Sequence, residues 1–207
     1  MKILAHRGLW PLGGEPNSLT ALAAALRAGY GVEFDVRDLA GTLVVSHDPP
    51  LVATVLLDDV VREARRADGV LAINVKAGGL HDRIAVALQS LPQRRWFAFD
   101  HSVPDLQVAI AQGLPCFARL SDLEPHAVLV EHAAGVWFDA FERDWIEPEA
   151  VETHLAVGRK VCLVSPELHG RPRVAVWEYW ATWPAARSDD LMICTDFPEE
   201  AAEVFPA

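Results

Sequence analysis

Ile3-Leu4-Ala5-His6-Arg7, then Asn17-Ser18-Leu19 running to Ala28-Gly29, then Val32-Glu33-Phe34-Asp35-Val36: this stretch decides the fold. The first and last pieces carry apolar residues in short runs, the pattern of strands covered on both faces. Leu19–Ala28 places apolar residues three and four apart, which marks an amphipathic helix. Asn17 and Ser18 can cap its start, and Gly29 sits just past its end. Strand, helix and strand in this order mean that the two strands lie parallel.

The same unit recurs along the chain. Further apolar runs are Val70–Val75, Trp96–Phe99, Pro115–Leu120, Val136–Phe138, Lys160–Val164 and Leu191–Cys194. Helical spacing follows strand two at Leu57–Ala67 and each of these runs at Arg83–Leu91, Asp105–Ala111, Pro125–Glu131, Pro148–Val157, Val174–Ala185 and Pro198–Val204 in chain order. Eight such units in 207 residues predict a small (β/α)8 TIM barrel. An open doubly wound sheet is the competing α/β architecture. After strand two, Arg37–Thr42 reads as a turn and Leu43–Asp48 as a short strand, so a hairpin is expected there. Residues 1–207 read as a single domain, long enough for one well-buried core.

Composition narrows the partners. Hydrophobic residues make up 51% of the chain, which excludes disorder. Lys and Arg number 18 against 29 Asp and Glu, a net charge of −11. Such a surface repels nucleic acid and anionic lipid, but a local cationic cluster can still take a small phosphorylated substrate. No apolar run reaches the roughly 18 residues of a membrane helix. The N-terminus passes directly to His6-Arg7-Gly8, with no room for a signal peptide. A soluble, cytoplasmic protein without stable membrane insertion is expected, its oligomeric state open. Cys116, Cys162 and Cys194 lie in or beside apolar runs and read as buried reduced thiols. Trp177, Trp180 and Trp183, three apart, are expected on one helix face against the barrel, and Trp10 beside a pocket.

In a parallel barrel the chemistry collects where the strands end. Those ends carry His6-Arg7, Glu33 and Asp35, Asn74 and Lys76, Asp100-His101, Arg119, Asp139, Ser165-Pro166-Glu167-Leu168-His169 and Thr195-Asp196; the hairpin adds His47-Asp48. Glu33 and Asp35 share one strand face and repel unless a cation lies between them. A hard divalent ion, Mg2+ or Ca2+, is the natural partner for oxygen ligands. His6 and His47 can exchange protons near neutral pH, and Arg7 and Lys76 can hold phosphate. Together these groups suit phosphoryl transfer.

His6-Arg7-Gly8, Asn17-Ser18, Glu33-Phe34-Asp35-Val36 and Val44-Val45-Ser46-His47-Asp48 resemble, in order and spacing, the glycerophosphodiester phosphodiesterase family. Asn74-Val75-Lys76 falls at its Glu-x-Lys, and Thr195-Asp196-Phe197-Pro198 resembles its closing Thr-Asp-x-Pro. The resemblance is strong over residues 3–48; residues 80–190 match in general layout alone. It implies metal-dependent hydrolysis of a small glycerophosphodiester-like or polyol-phosphate substrate, of the kind found in lipid metabolism. It implies His6 and His47 as the catalytic pair, Glu33, Asp35 and Asn74 as metal ligands, and Arg7, Asn17 and Lys76 at the substrate. Arg119, Glu167 and His169 join the expected substrate contacts by their places at strand ends.

Two departures stand out. Asn74 replaces a family Glu, and Pro16 occupies another usual Glu position, so the metal site has lost carboxylates. Glu167 or Asp100 is a candidate replacement. A metal-independent phosphodiesterase, with Arg7 or Lys76 in place of the ion, and a barrel that binds a phosphorylated polyol without turnover are the alternatives. Blander roles remain: His6 as a satisfied strand-end histidine, Asn74 and Lys76 as strand caps, and Asp100, His101, Arg119 and Asp139 as a structural network. His81, His126, His132 and His154 are expected at the surface.

Overall fold

The strand–helix alternation wraps into a ring. The computed structural model describes residues 1–10, 14–52 and 55–205. In chain order the elements are β1 (Lys2–His6), α1 (Leu19–Arg27), β2 (Gly31–Leu39), β3 (Thr42–Val45), α2 (Leu57–Ala64), β4 (Leu71–Val75), α3 (His81–Leu88) and β5 (Trp96–Phe99). They continue with α4 (Val103–Ala111), β6 (Phe117–Leu120), β7 (Gly135–Phe138), α5 (Pro148–Ala156), β8 (Lys160–Val164), α6 (Val174–Ala181), β9 (Leu191–Thr195) and α7 (Pro198–Val204). Strands other than β3 run parallel in the order β5-β4-β2-β1-β9-β8-β7-β6. The two ends meet at an Ala98–Cys116 bridge, where Ala98 N–H donates to Pro115 O at 3.0 Å. This near closure is the expected (β/α)8 barrel and excludes the open sheet. β3 pairs antiparallel with the extended end of β2, as the hairpin reading requires.

Alternation along each strand sorts the side chains into two layers. Val32, Phe34 and Val36 point outward and pack with Leu22, Leu26, Val60 and Val61 of α1 and α2. On the far side, Val161, Leu163 and Ile193 pack with Trp177, Trp180 and Trp183. Inside the barrel Leu4, Ala72, Phe97, Phe99, Phe117, Trp137, Cys162 and Cys194 form an apolar floor. Phe97 stacks on Phe117 with ring centroids 3.7 Å apart, and Phe99 on Trp137 at 3.9 Å. All three cysteines are free and buried, and burial raises each thiol pKa. No helix among the described residues is long and apolar enough to cross a membrane.

Three local readings need correction. Pro125–Glu131 is not an α-helix: Leu129 has a left-handed backbone (φ 62°), and a short 3-10 turn at Val130–His132 follows. Ser121 Oγ has already turned the chain by accepting from Leu123 and Glu124 N–H, a local competitor to helix. Trp183 lies beyond the end of α6 and is buried from the following turn, not from the shared helix face. Ser18 alone caps α1, accepting from Ala21 N–H, while Asn17 faces β2.

Candidate active site at the C-terminal mouth of the barrel

The site begins with a backbone turn. After β1, Arg7 takes a left-handed conformation (φ 55°) and Gly8 follows at φ 90°. A Cβ on Gly8 would lie 2.5 Å from the Ala21 carbonyl carbon, so only glycine lets this loop press against α1. The turn is pinned where Arg7 N–H donates to Glu33 O at 2.8 Å and Asn17 N–H to Arg7 O at 3.0 Å. Asn17 (φ 63°) and Asp100 (φ 61°) are also left-handed, so strained backbone gathers at this mouth.

Register then sets the side chains level. β1–β2 pairing aligns His6 with Glu33, and β2–β4 pairing aligns Asp35 with Asn74. His6 Nδ1 is hydrogen-bonded to Asp196 Oδ1 at 2.7 Å, and its Nε2 lies 3.8 Å from Glu33 Oε2. Burial lowers the pKa of His6, but the Asp196 hydrogen bond and the Glu33 charge outweigh it, and the net shift is upward. Glu33 is 2% exposed. Burial pushes its pKa up to about 7, with Asp35 adding to the rise and His6, Arg7 and Lys76 opposing it.

Asp35 is fully buried and gathers polar partners. Asn17 Nδ2 donates to its Oδ2 at 2.8 Å and Asn17 Oδ1 accepts its backbone N–H at 3.3 Å. Arg7 Nε stands 3.0 Å from Oδ2, and Lys76 Nζ 3.4 Å from Oδ1. Both ends of the Asn17 amide, an expected substrate contact, are therefore engaged with Asp35.

Glu33 Oε2, Asp35 Oδ1 and Asn74 Oδ1 are buried with no hydrogen-bond partner among the described residues. Three such oxygens are costly unless something electropositive meets them, and hard oxygen donors suit Mg2+ or Ca2+. No cluster of three His, Cys, Asp or Glu side chains among the described residues is placed to hold a metal. The donor set therefore fits a divalent cation only if the Asn74 amide serves as the third ligand.

The other expected residues divide. Arg119 lines a cleft of about 480 Å3 beside Lys76 and bridges Asp100 at 3.1 Å and Glu124 at 2.7 Å. Burial raises the Asp100 pKa, with Arg119 and Lys76 opposing. His169 Nε2 is hydrogen-bonded to Asp139 Oδ1 at 2.6 Å, and its ring packs against Phe141. Glu167 turns both oxygens toward the protein: Oε1 accepts from Thr195 Oγ1 and Asp196 N–H, Oε2 from Ser165 Oγ. Both oxygens are thus engaged inside the protein, where the sequence suggests a substrate contact or a metal ligand. Asp100 is likewise spoken for by Arg119. His47 is half exposed, and its ring contact is Asp48 at 2.9 Å. Its loop is anchored: Ser46 N–H donates to Asp35 O, and Arg37 donates to the carbonyls of both His47 and Lys76 at 2.8 Å. Trp10 Nε1 donates to His6 O at 3.1 Å. His81 is largely buried, against the surface expectation.

Two residues were missed as site members. Asp196 orients His6, and its Thr-Asp-x-Pro setting was the available signal. Arg37 carried none, since its two targets are carbonyls that only folding brings together.

Among solved structures, a protein of Galdieria sulphuraria assigned as a glycerophosphodiester phosphodiesterase superposes with a TM-score of 0.77 at 15% identity, over 100% of this chain and 98% of that one. The chain has the fold of the glycerophosphodiester phosphodiesterases. The Agrobacterium tumefaciens enzyme of that name gives a TM-score of 0.69 at 22% identity, with 100% of both chains covered. An Oleispira antarctica phosphodiesterase, solved with the product sn-glycerol-3-phosphate, gives 0.71 at 18% identity over 100% of this chain and 97% of that one. No protein-family model matches the sequence, and no curated protein matches it.

Proposed function

We propose that this protein hydrolyses a small phosphodiester with a glycerol-like group, using His6 and His47 as proton donor and acceptor. The observation that carries the reading is His6 held by Asp196 beside Glu33, on the same rim as Arg7 and Lys76. A carboxylate on Nδ1 fixes the imidazole tautomer and leaves Nε2 available to move a proton. The barrel likeness to a phosphodiesterase holding glycerol 3-phosphate supports the substrate class.

Asp196 holds the His6 proton at Nδ1, which leaves Nε2 free to take or return one. Arg7 and Lys76 bind the phosphoryl oxygens as they swing from Asp35 toward the incoming anion. His47, on its anchored loop, serves the other oxygen. One imidazole removes the proton of the attacking water or substrate hydroxyl, and the other protonates the departing alcohol. Glu33, Asp35 and Asn74 would hold a divalent cation, which supplies charge stabilisation at the phosphoryl oxygens.

A second reading has an observation of its own. Two cations, Arg7 and Lys76, flank Asp35 and match Glu33 and Asp35 in number. That balance supports a site working without a metal. Hydrolysis of bis(p-nitrophenyl) phosphate and glycerophosphocholine by wild type and His47→Ala, in Mg2+, Ca2+ and EDTA, separates the cases. Turnover that needs the ion and His47 is expected. Turnover that persists in EDTA selects the cation-only site, and none in any condition leaves a binding role.

A further inference from the structure

We propose that Glu167 is a positioning residue that fixes the His6–Asp196 pair; the inference rests on His6 acting in catalysis. Glu167 lies in the 3-10 turn Pro166–His169 that follows β8. Its Oε1 accepts from the Thr195 hydroxyl at 2.5 Å and from the Asp196 backbone N–H at 3.1 Å. Its Oε2 accepts from the Ser165 hydroxyl, and Ser165 Oγ accepts the Trp177 indole N–H at 2.7 Å. Thr195 Oγ1 also accepts Phe197 N–H at 3.0 Å. Ser165 and Thr195 are fully buried and Trp177 is 2% exposed, so water does not replace these partners.

The geometry has one consequence. The turn Thr195-Asp196-Phe197 is clamped at a side chain and at two backbone N–H groups, and Asp196 reaches His6 Nδ1 from that turn. One carboxylate ties β8, β9 and α6 into the frame behind the imidazole. A carboxylate meant for substrate would leave an oxygen without a protein partner, and here both oxygens have one. Asp196 orients the ring of His6, and Glu167 orients Asp196. Both side chains therefore have to be in place before Nε2 faces the mouth.

Gln is nearly isosteric with Glu and keeps an oxygen for Thr195 and Asp196, while its amide can donate to Ser165 Oγ. Ala keeps nothing. Glu167→Ala is therefore expected to lower kcat by roughly 30- to 100-fold, the cost of about 1 Å of misplacement. KM should stay within about three-fold, and Glu167→Gln should restore most of kcat. The direct readout is the pair of His6 side-chain 15N shifts, which report which ring nitrogen carries the proton. A single Nδ1–H form is expected in wild type and Glu167→Gln, and a mixture in Glu167→Ala. If Glu167→Ala does not fold, Thr195→Val with Thr195→Ser as its rescue makes the same comparison.

An unchanged tautomer and unchanged kcat in Glu167→Ala would overturn the proposal. So would a KM rise at constant kcat, which marks a substrate contact, or loss of Ca2+ affinity by calorimetry in Glu167→Gln, which marks a metal ligand. A tautomer change with no change in turnover would instead keep the positioning role and overturn the catalytic role of His6.

Discussion

Glu33→Gln should stabilise the metal-free protein at alkaline pH and do progressively less as the pH falls. Burial raises the Glu33 pKa from 4.5 to about 7. The folded protein thus holds this proton more tightly than the unfolded chain does. Wild type loses stability as pH climbs from 4.5 to about 7, and the loss remains above that range. At about 1.4 kcal/mol per pH unit, the ceiling is on the order of 3 kcal/mol. His6 acts in the same direction. Its raised pKa gives stability that is present below its ordinary value and is lost as pH rises through the folded value, and part of that comes from Glu33. Removing the Glu33 charge forfeits this acid-side gain, so the mutant again compares best at high pH. The assay is urea unfolding of both proteins in EDTA at pH 5, 6, 7 and 8, followed by tryptophan fluorescence. The stability difference between mutant and wild type should shift in favour of the mutant by about 1–3 kcal/mol from pH 5 to pH 8. A difference independent of pH, or one moving toward wild type as pH rises, would refute the reasoning. Repeating the series in Ca2+ should flatten the wild-type trend, because a bound cation favours ionised Glu33.

His47→Ala should lower kcat by about 10²- to 10⁴-fold; since its ring is half exposed and hydrogen-bonds to exposed Asp48, Tm should hardly move in a thermal scan. Asn74→Asp adds a carboxylate beside Asp35, and calorimetry should show Ca2+ binding tightened; no gain would count against Asn74 as a ligand. Trp177→Phe strips Ser165 Oγ of its indole donor in a buried position and should cost about 1–3 kcal/mol in urea unfolding. Gly8→Ala should be at least that costly, since φ 90° and a backbone carbon 2.5 Å away both oppose a side chain.

Much of this was legible in the chain. The apolar runs at Ile3–Ala5, Val32–Val36 and Leu191–Cys194 are strands because both barrel faces bury them, and burial on both faces leaves an unmistakable pattern. His6, Glu33, Asp35, Asn74 and Lys76 were readable as neighbours because period-two alternation puts them on the inner face at strand ends. The partners of Glu167 and Asn17 were not legible, for a common reason. Both look like free polar groups at a rim, and their partners, Thr195 and Asp196 in one case and Asp35 in the other, lie far away in sequence.

Pro125–Glu131 failed differently, since its apolar spacing is genuine but Ser121 and the left-handed Leu129 turn the backbone first. The sequence alone determined the alternating parallel strands, the hairpin and the chemistry-bearing strand ends, because local periodicity and strand-end position are properties of neighbours along the chain; closure of the sheet into a barrel came from the Ala98–Cys116 pairing. Tertiary structure decided which of those groups face the mouth and which brace it. Hydrogen bonds such as Glu167 to Thr195, or Asp196 to His6 across 190 residues, exist only once the ring has closed.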